Sequence, residues 1–249
     1  MADFRGDIIC ASLFTGNYDV NRSELLAGDN FQLIEKWCSS IQSLGLKGVV
    51  FHNSFSEKTI RSNQVNGIEF VAVDFNTPLS ANAYRYLVYN EFLKKHRPHL
   101  DHVFFTDIAD VEVAKNPFED PFFKENSNAI FCGDEEEILD NPWMNEHSMH
   151  LRHLIAEFSD FEERNKNQKL LNCGVFGGKT AVIFKLVQEL SRIHSTYTIH
   201  NKTPYTLDMG AFNFVMRTQF NTQLIHGFPV NTRFKFYEST RQDCWFRHK

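Results

Sequence analysis

The sequence predicts an α/β fold built on a mostly parallel sheet with helices on its faces, and two patterns carry that prediction. Short β-branched or aromatic runs alternate with helix-period segments through the first half of the chain, an order that yields parallel strands joined by crossover helices. The stretch His102–Val113, HVFFTDIADVEV, then passes from an apolar strand into a wet cluster around Asp107 and Asp110. Carboxylates there lie beyond the carboxyl end of a strand, where open α/β sheets bind ligands and where hard oxygen donors hold divalent cations on phosphates.

Each element has a local signal. DIICASLF, Asp7–Phe14, reads as a buried first strand closing at Thr15-Gly16-Asn17. Phe31, Ile34, Cys38 and Ile41 recur at three-to-four spacing, the period of one helix face. KGVVFH and IEFVAVDF form two further strands, separated by a polar segment that ends in the turn pair Asn66-Gly67. Ser80 is placed to cap a helix over Ala81–His96, and Pro98 follows its basic end. After the Asp107 strand come a strand at Ala129–Gly133, a helical stretch from Trp143 to Arg164 and the glycine-broken strand Leu170–Gly178, LLNCGVFGG. Helices over Lys179–His194 and Leu207–Gln219 and a last strand in TQLIHGFPVNTRF complete the chain. Arg247 and Lys249, around Trp245 and Phe246, belong to a basic tail that either folds over a ligand's phosphates or, as the plainer expectation, is a solvated terminus.

Composition narrows the function classes. A chain of 249 residues with 42% hydrophobic content buries a sizeable core and fits one domain in two lobes. The net charge of -5 argues against a nucleic-acid partner, because affinity for phosphate backbones needs clustered Lys and Arg. No apolar run approaches the roughly 18 to 20 residues of a transmembrane helix. Five scattered cysteines without a CxxC pair read as free thiols in a reducing compartment, so a cytoplasmic location is expected.

Several side chains are candidates for chemistry, each with a plain structural alternative. Asp107 and Asp110 either hold a metal or cap turns after a strand. Asn172-Cys173-Gly174 offers an amide for sugar hydroxyls and a glycine for close backbone approach, or else a bulge and a tight turn. Asp208 opens a helix, either as a carboxylate directed at a substrate hydroxyl or as a first-turn acid favoured by the dipole. His226, before Gly227, either completes a metal site or is an ordinary polar residue.

Taken together, FFTDIADVEVAKNPF, then LLNCGVFGG, then an Asp-led helix and a late His-Gly, the chain resembles nucleotide-sugar-dependent glycosyltransferases of the GT-A fold. The first segment resembles their DxD region, with one departure: Asp107 and Asp110 are three positions apart, and Glu112 stands in reserve as a second acid. The length and layout are also similar to small glycosyltransferases of large algal viruses. The resemblance implies a Rossmann-like single domain, with a nucleotide-sugar-binding half over about residues 1–112 and an acceptor-binding half over 113–249. It implies Mn²⁺ or Mg²⁺ held by Asp107, Asp110 and His226, and donor contacts from Leu13, Phe14, Thr15, Gly16, Arg85, Asp107 and Gly174. Asp208 and Asn172 become the catalytic candidates on the acceptor side, with Asp208 as general base if transfer inverts configuration. The His-Gly element inclines the resemblance towards retention. The implied partners are a nucleotide-sugar donor, UDP-linked by family weight, and a glycan or other hydroxyl acceptor. A sugar-phosphate nucleotidyltransferase and a non-catalytic sugar- or nucleotide-binding module are the competing readings; no glycine-rich, basic phosphate loop follows the first strand, which weakens the former.

Overall fold

The computed structural model describes residues 4–16, 18–19, 24–63, 66–200 and 207–249; Asn17, named above, and the segment 201–206 before Leu207 lie outside them. The first half alternates as expected. Strand β1 (Gly6–Leu13) is followed by the short pair β2 (Tyr18–Asp19) and β3 (Glu24–Leu25), helix α1 (Glu35–Ser43), β4 (Gly48–His52), α2 (Glu57–Ser62), β5 (Ile68–Ala72), α3 (Ala81–His96) and β6 (Leu100–Thr106). Ser80 caps α3 by accepting from the Ala83 amide at 3.3 Å, and Pro98 sits in the 3-10 turn just past its end.

The second half comprises β7 (Val111–Val113), α4 (Pro121–Glu125), β8 (Ile130–Ile138), the short helices α5 (Pro142–His147), α6 (Met149–Leu154) and α7 (Phe158–Asn165), β9 (Lys169–Lys179), α8 (Thr180–Ile193), α9 (Asp208–Gln219), β10 (Leu224–His226) and β11 (Phe246–His248). A seven-stranded sheet in the order β10-β8-β9-β6-β1-β4-β5 forms the centre. All of its pairings are parallel except those of β9, which runs antiparallel to β6 and β8.

Alternation along the strands builds a core on each face. Ile8, Cys10, Val103, Phe105, Ile130, Cys132 and Phe176 pack with residues of α3, α8 and α9, among them Tyr89, Leu93, Ile183, Leu190 and Phe212. Their neighbours Ile9, Ala11, Val50, Phe104, Phe131 and Val175 face Trp37 and Ile41 of α1 and Trp245 and Phe246 of the tail. The result is the mixed α/β architecture, helices flanking a mostly parallel sheet, that the alternating pattern predicts.

Two expectations change. The single helix over Trp143–Arg164 is three short ones: α5 gives way to α6 at Ser148, and α6 ends where Ile155 takes an extended conformation at φ -120° and ψ 113°. A straight helix of that length would run about 33 Å; folded into three, it buries Met144, Leu151, Ile155, Phe158 and Phe161 in one core. The tail is not solvated. Trp245 packs edge-to-face with Phe104, Phe123 and Phe131 at centroid distances of 6.0, 5.9 and 5.1 Å, and β11 pairs with β7. Burying a large aromatic contributes roughly 1.5–3 kcal/mol, enough to oppose fraying of the last strand. Among the described residues, no helix is long and apolar enough to cross a membrane.

Candidate active site

A cleft of about 780 Å³ opens at the carboxyl ends of β1, β6 and β8 and is lined by Asp107, Asp110, Arg85, Asn172, Asp208 and His248, among others. The residues that build it come from distant parts of the chain. Trp37 of α1 donates from its indole nitrogen to Thr106 Oγ1 at 2.8 Å, fixing the end of β6 just before Asp107. The Asp107 amide then donates to the Gly174 carbonyl at 2.7 Å, which ties the acidic turn to β9.

Asp107 uses its two oxygens differently. Oδ1 accepts a charge-assisted hydrogen bond from Arg85, whereas Oδ2 lies 3.9 Å from His248 Nε2. Asp110 Oδ2 stands at the same 3.9 Å from that nitrogen. These separations exceed hydrogen-bond length, yet they suit three ligands meeting on one ion, whose bonds to carboxylate oxygen and imidazole nitrogen run about 2.0–2.2 Å. Among the described residues, Asp107, Asp110 and His248 are the group whose ligand atoms all lie within 4.8 Å of one another. Two carboxylates and an imidazole suit Mn²⁺ or Mg²⁺ better than a thiophilic metal.

The tail delivers His248 by backbone clips. Thr232 Oγ1 accepts from the His248 amide at 2.9 Å, the Lys249 amide donates to the Asp110 carbonyl at 3.1 Å, and Phe234 packs on the imidazole at 4.5 Å. Glu112, the reserve acid, is taken up by Arg247 at 3.1 Å and Lys249 at 3.0 Å. Gly174 explains why this turn tolerates no side chain: a Cβ there would lie 2.6 Å from Asp107 Oδ2 and closer still to His248 Cε1. The glycine thus admits protein atoms of the cluster itself.

His226 does not join them. It ends β10, three strands from β6 in the sheet, a lateral offset of about 14 Å, and its Nδ1 is 2.8 Å from Asp134 Oδ2. The histidine beside the paired aspartates is His248, which sequence reasoning passed over because the tail read as solvated. The available signal was the Trp245-Phe246 pair beside it, an apolar anchor in an otherwise polar terminus.

Arg85 is buried, and its guanidinium bridges Asp107 and Asp208, reaching Asp208 Oδ2 at 3.1 Å. The Cys173 thiol lies 3.3 Å from the same oxygen, and burial, aided by the nearby Asp208 charge, raises its pKa and keeps it a thiol. Asn172 works on both sides: its Oδ1 accepts from the Gly174 amide at 2.7 Å and its Nδ2 donates to Glu135 Oε1 at 2.9 Å. Glu135 lines the cleft, and desolvation raises its pKa. It went unnoticed in the sequence, where Asp134–Glu137 looked like an acidic run after a strand.

The first-strand loop divides. Leu13 and Phe14 line the cleft, and Phe14 stacks on Phe75 at 5.0 Å. Thr15 instead exchanges two backbone hydrogen bonds with the Asn53 amide, at 2.9 and 2.8 Å, and Gly16 turns the chain at φ 93°. Lys235 and Lys249 add positive charge to the cleft wall.

No protein-family model and no curated protein matches the chain, so the resemblance to algal-virus enzymes gains no support there. Among solved structures that match is a galactosyltransferase, LgtC, in complex with donor and acceptor sugar analogs, aligned over 97% of this chain and 86% of that one at 14% identity and a TM-score of 0.49. That likeness is too distant to carry a residue role or an activity across.

Proposed function

We propose that this protein is a GT-A type glycosyltransferase of one domain that moves a sugar from a nucleotide-sugar donor, UDP-linked, to a hydroxyl of a glycan acceptor, with Mn²⁺ or Mg²⁺ at Asp107, Asp110 and His248. The observation that carries the proposal is the shared 3.9 Å separation of His248 Nε2 from both carboxylates, at the ligand-binding end of the sheet. Five buried free thiols accord with a cytosolic setting.

Glycosyl transfer asks a site to stabilise a departing diphosphate that gains negative charge as the sugar becomes oxocarbenium-like. A bound divalent cation supplies Lewis-acid stabilisation of that charge. The chain's own residues supply the rest. Lys235, and Lys249 beside its partner Glu112, place ammonium groups on the cleft wall, where they attract phosphate oxygens. Arg85 holds Asp107 by one oxygen and so leaves the other turned towards His248. Leu13 and Phe14 form the apolar side of the nucleoside pocket, with Thr15 and Gly16 shaping its loop.

On the acceptor side, Asn172 and Asp208 orient the reacting groups. Asp208 Oδ2 is already engaged by Arg85 and Cys173, so of the two acids Glu135 is the better placed to take a proton from an acceptor hydroxyl in an inverting reaction. Its raised pKa brings it nearer to the range that serves a general base. With His226-Gly227 spent on Asp134, the incline towards retention loses its footing.

The test is thermal stabilisation by UDP, GDP, CDP and ADP, with Mn²⁺ and then with EDTA, on the wild-type protein and on Asp110→Asn. A ligand at 100 times its dissociation constant adds about 2.7 kcal/mol. The expected result is a Mn²⁺-dependent upward shift with one diphosphate that Asp110→Asn loses. No shift with any of the four, or a shift indifferent to EDTA, would sink the reading.

A further inference from the structure

Trp143 stands apart from the other two tryptophans. Trp37 and Trp245 are 0% exposed, whereas Trp143 is 40% exposed and lines the cleft. One face of its indole is covered by His147, one helical turn further along α5, with ring centroids 3.9 Å apart and planes at 19°. The imidazole fixes the indole's orientation and leaves its other side available. A large flat apolar ring turned to a polar cleft forgoes hydrophobic free energy until something covers it.

The neighbouring wall has the complementary chemistry. Glu135 and Glu137, in the irregular stretch of β8 between Asp134 and Ile138, both line the cleft. Glu136, between them, turns away and pairs with Lys169 at 3.2 Å. A rigid aromatic plane flanked by hydrogen-bond acceptors matches a pyranose: its C–H face lies on the ring, and its hydroxyls donate to the carboxylates. Lys235, whose charge acts on Glu135, shares this part of the cleft and adds a donor beside the two acceptors.

We infer that the Trp143–His147 stack, with Glu135 and Glu137, is a subsite for a pyranose ring of the acceptor. The inference rests on the glycosyl-transfer reading for the word acceptor, but the ring-binding chemistry is independent of it. The alternative occupant is the base of the donor nucleotide, which also stacks on indole. β9 and β8 follow β6 on one side of the sheet and β1 adjoins it on the other; α5 packs on α9, which lies against β9, so Trp143 and the Leu13–Phe14 pocket stand on opposite sides of Asp107.

Tryptophan emission tests the subsite directly, because the two buried indoles are shielded and Trp143 is the one in the cleft. The protein is titrated with methyl glucoside, galactoside, mannoside and N-acetylglucosaminide, and separately with UDP and Mn²⁺. At least one glycoside should shift the emission, the shift should vanish in Trp143→Phe, and UDP should leave the emission of Trp143 unmoved while raising the thermal midpoint. In the transfer assay, Trp143→Ala should raise the acceptor KM about tenfold while the thermal response to UDP is retained. Emission that answers UDP but no glycoside, or a glycoside shift that persists in Trp143→Phe, overturns the assignment. If a nucleotide stabilises the protein and no glycoside acts, the subsite falls alone. If a glycoside shifts Trp143 and no nucleotide stabilises the protein, the sugar subsite stands and the transferase reading falls.

Discussion

Two histidines near the same end of the sheet are each matched with acid, and they differ in how the match is made. His226 closes on Asp134 at 2.8 Å, a direct pair between Nδ1 and Oδ2. His248 is buried yet holds off from Asp107 and Asp110 at 3.9 Å each. A closed pair is complete and serves the fold; a histidine kept equidistant from two carboxylates leaves room for a third body. The distinction rests on distances, and motif order alone pointed to the other histidine.

The most forceful way to break the comparison is to exchange the two losses. His248→Ala should lower turnover on the order of 10³-fold, since a catalytic cation supplies several kcal/mol of transition-state stabilisation, and should abolish the Mn²⁺-dependent thermal shift. His226→Ala should leave both intact and cost about 1 kcal/mol of stability, the worth of one hydrogen bond. Equal effects of the two variants on turnover, measured side by side with saturating Mn²⁺, would erase the difference between a closed pair and an open one.

The same contrast sorts the two candidate bases. Asp208 is closed onto Arg85 and Cys173, whereas Glu135 has a neutral amide for its partner. Glu135→Gln should therefore lower kcat by about 10²-fold in an inverting reaction, the low end of general-base catalysis, with nucleotide binding retained. A kcat for Glu135→Gln near that of the wild-type protein would return the role to Asp208 or to a retaining mechanism.

How much was legible in the sequence follows from the range of the interactions involved. The strand and helix pattern up to Thr106 is local: alternation and three-to-four spacing fix which faces of β1, β4, β6 and α3 are buried, and the Ser80 cap and Pro98 bound their helix. The paired aspartates were visible for the same reason, since a polar cluster straight after an apolar run stands out. Arg85 was placed near the donor loop, but its bridge to Asp107 and Asp208 spans 22 and 123 residues of sequence. His248 and Glu135 depend wholly on such long-range contacts. The tail reaches the aspartates because Trp245 and Phe246 are drawn into a core formed around Phe104 and Phe131, and a solvated terminus was the default for a short basic end. The three-helix path of residues 142–165 was hidden because its apolar spacing also suits one continuous helix.

The smallest effect concerns a histidine that is closed off altogether. His194 is 0% exposed, stacks on Tyr86 at 5.3 Å with planes at 10°, and has Nδ1 3.1 Å from Thr198 Oγ1. Burial pulls its pKa down to about 4, below the value near 6.5 of an exposed histidine. Between those values the unfolded chain binds a proton that the folded chain refuses, so stability rises with pH through this window and falls as pH drops from about 6.5 towards 4. The slope from this one group is about 1.4 kcal/mol per pH unit. His52, His96 and His147 are also shifted down, each chiefly by burial, so removing His194 should reduce the slope without abolishing it. His194→Phe retains a ring against Tyr86 and removes the titration; urea unfolding at pH 7 and pH 5 should show a smaller loss on acidification than in the wild-type protein. Equal losses in the two proteins would mean that His194 takes up its proton without unfolding, and that a fully closed histidine is less closed than its contacts indicate.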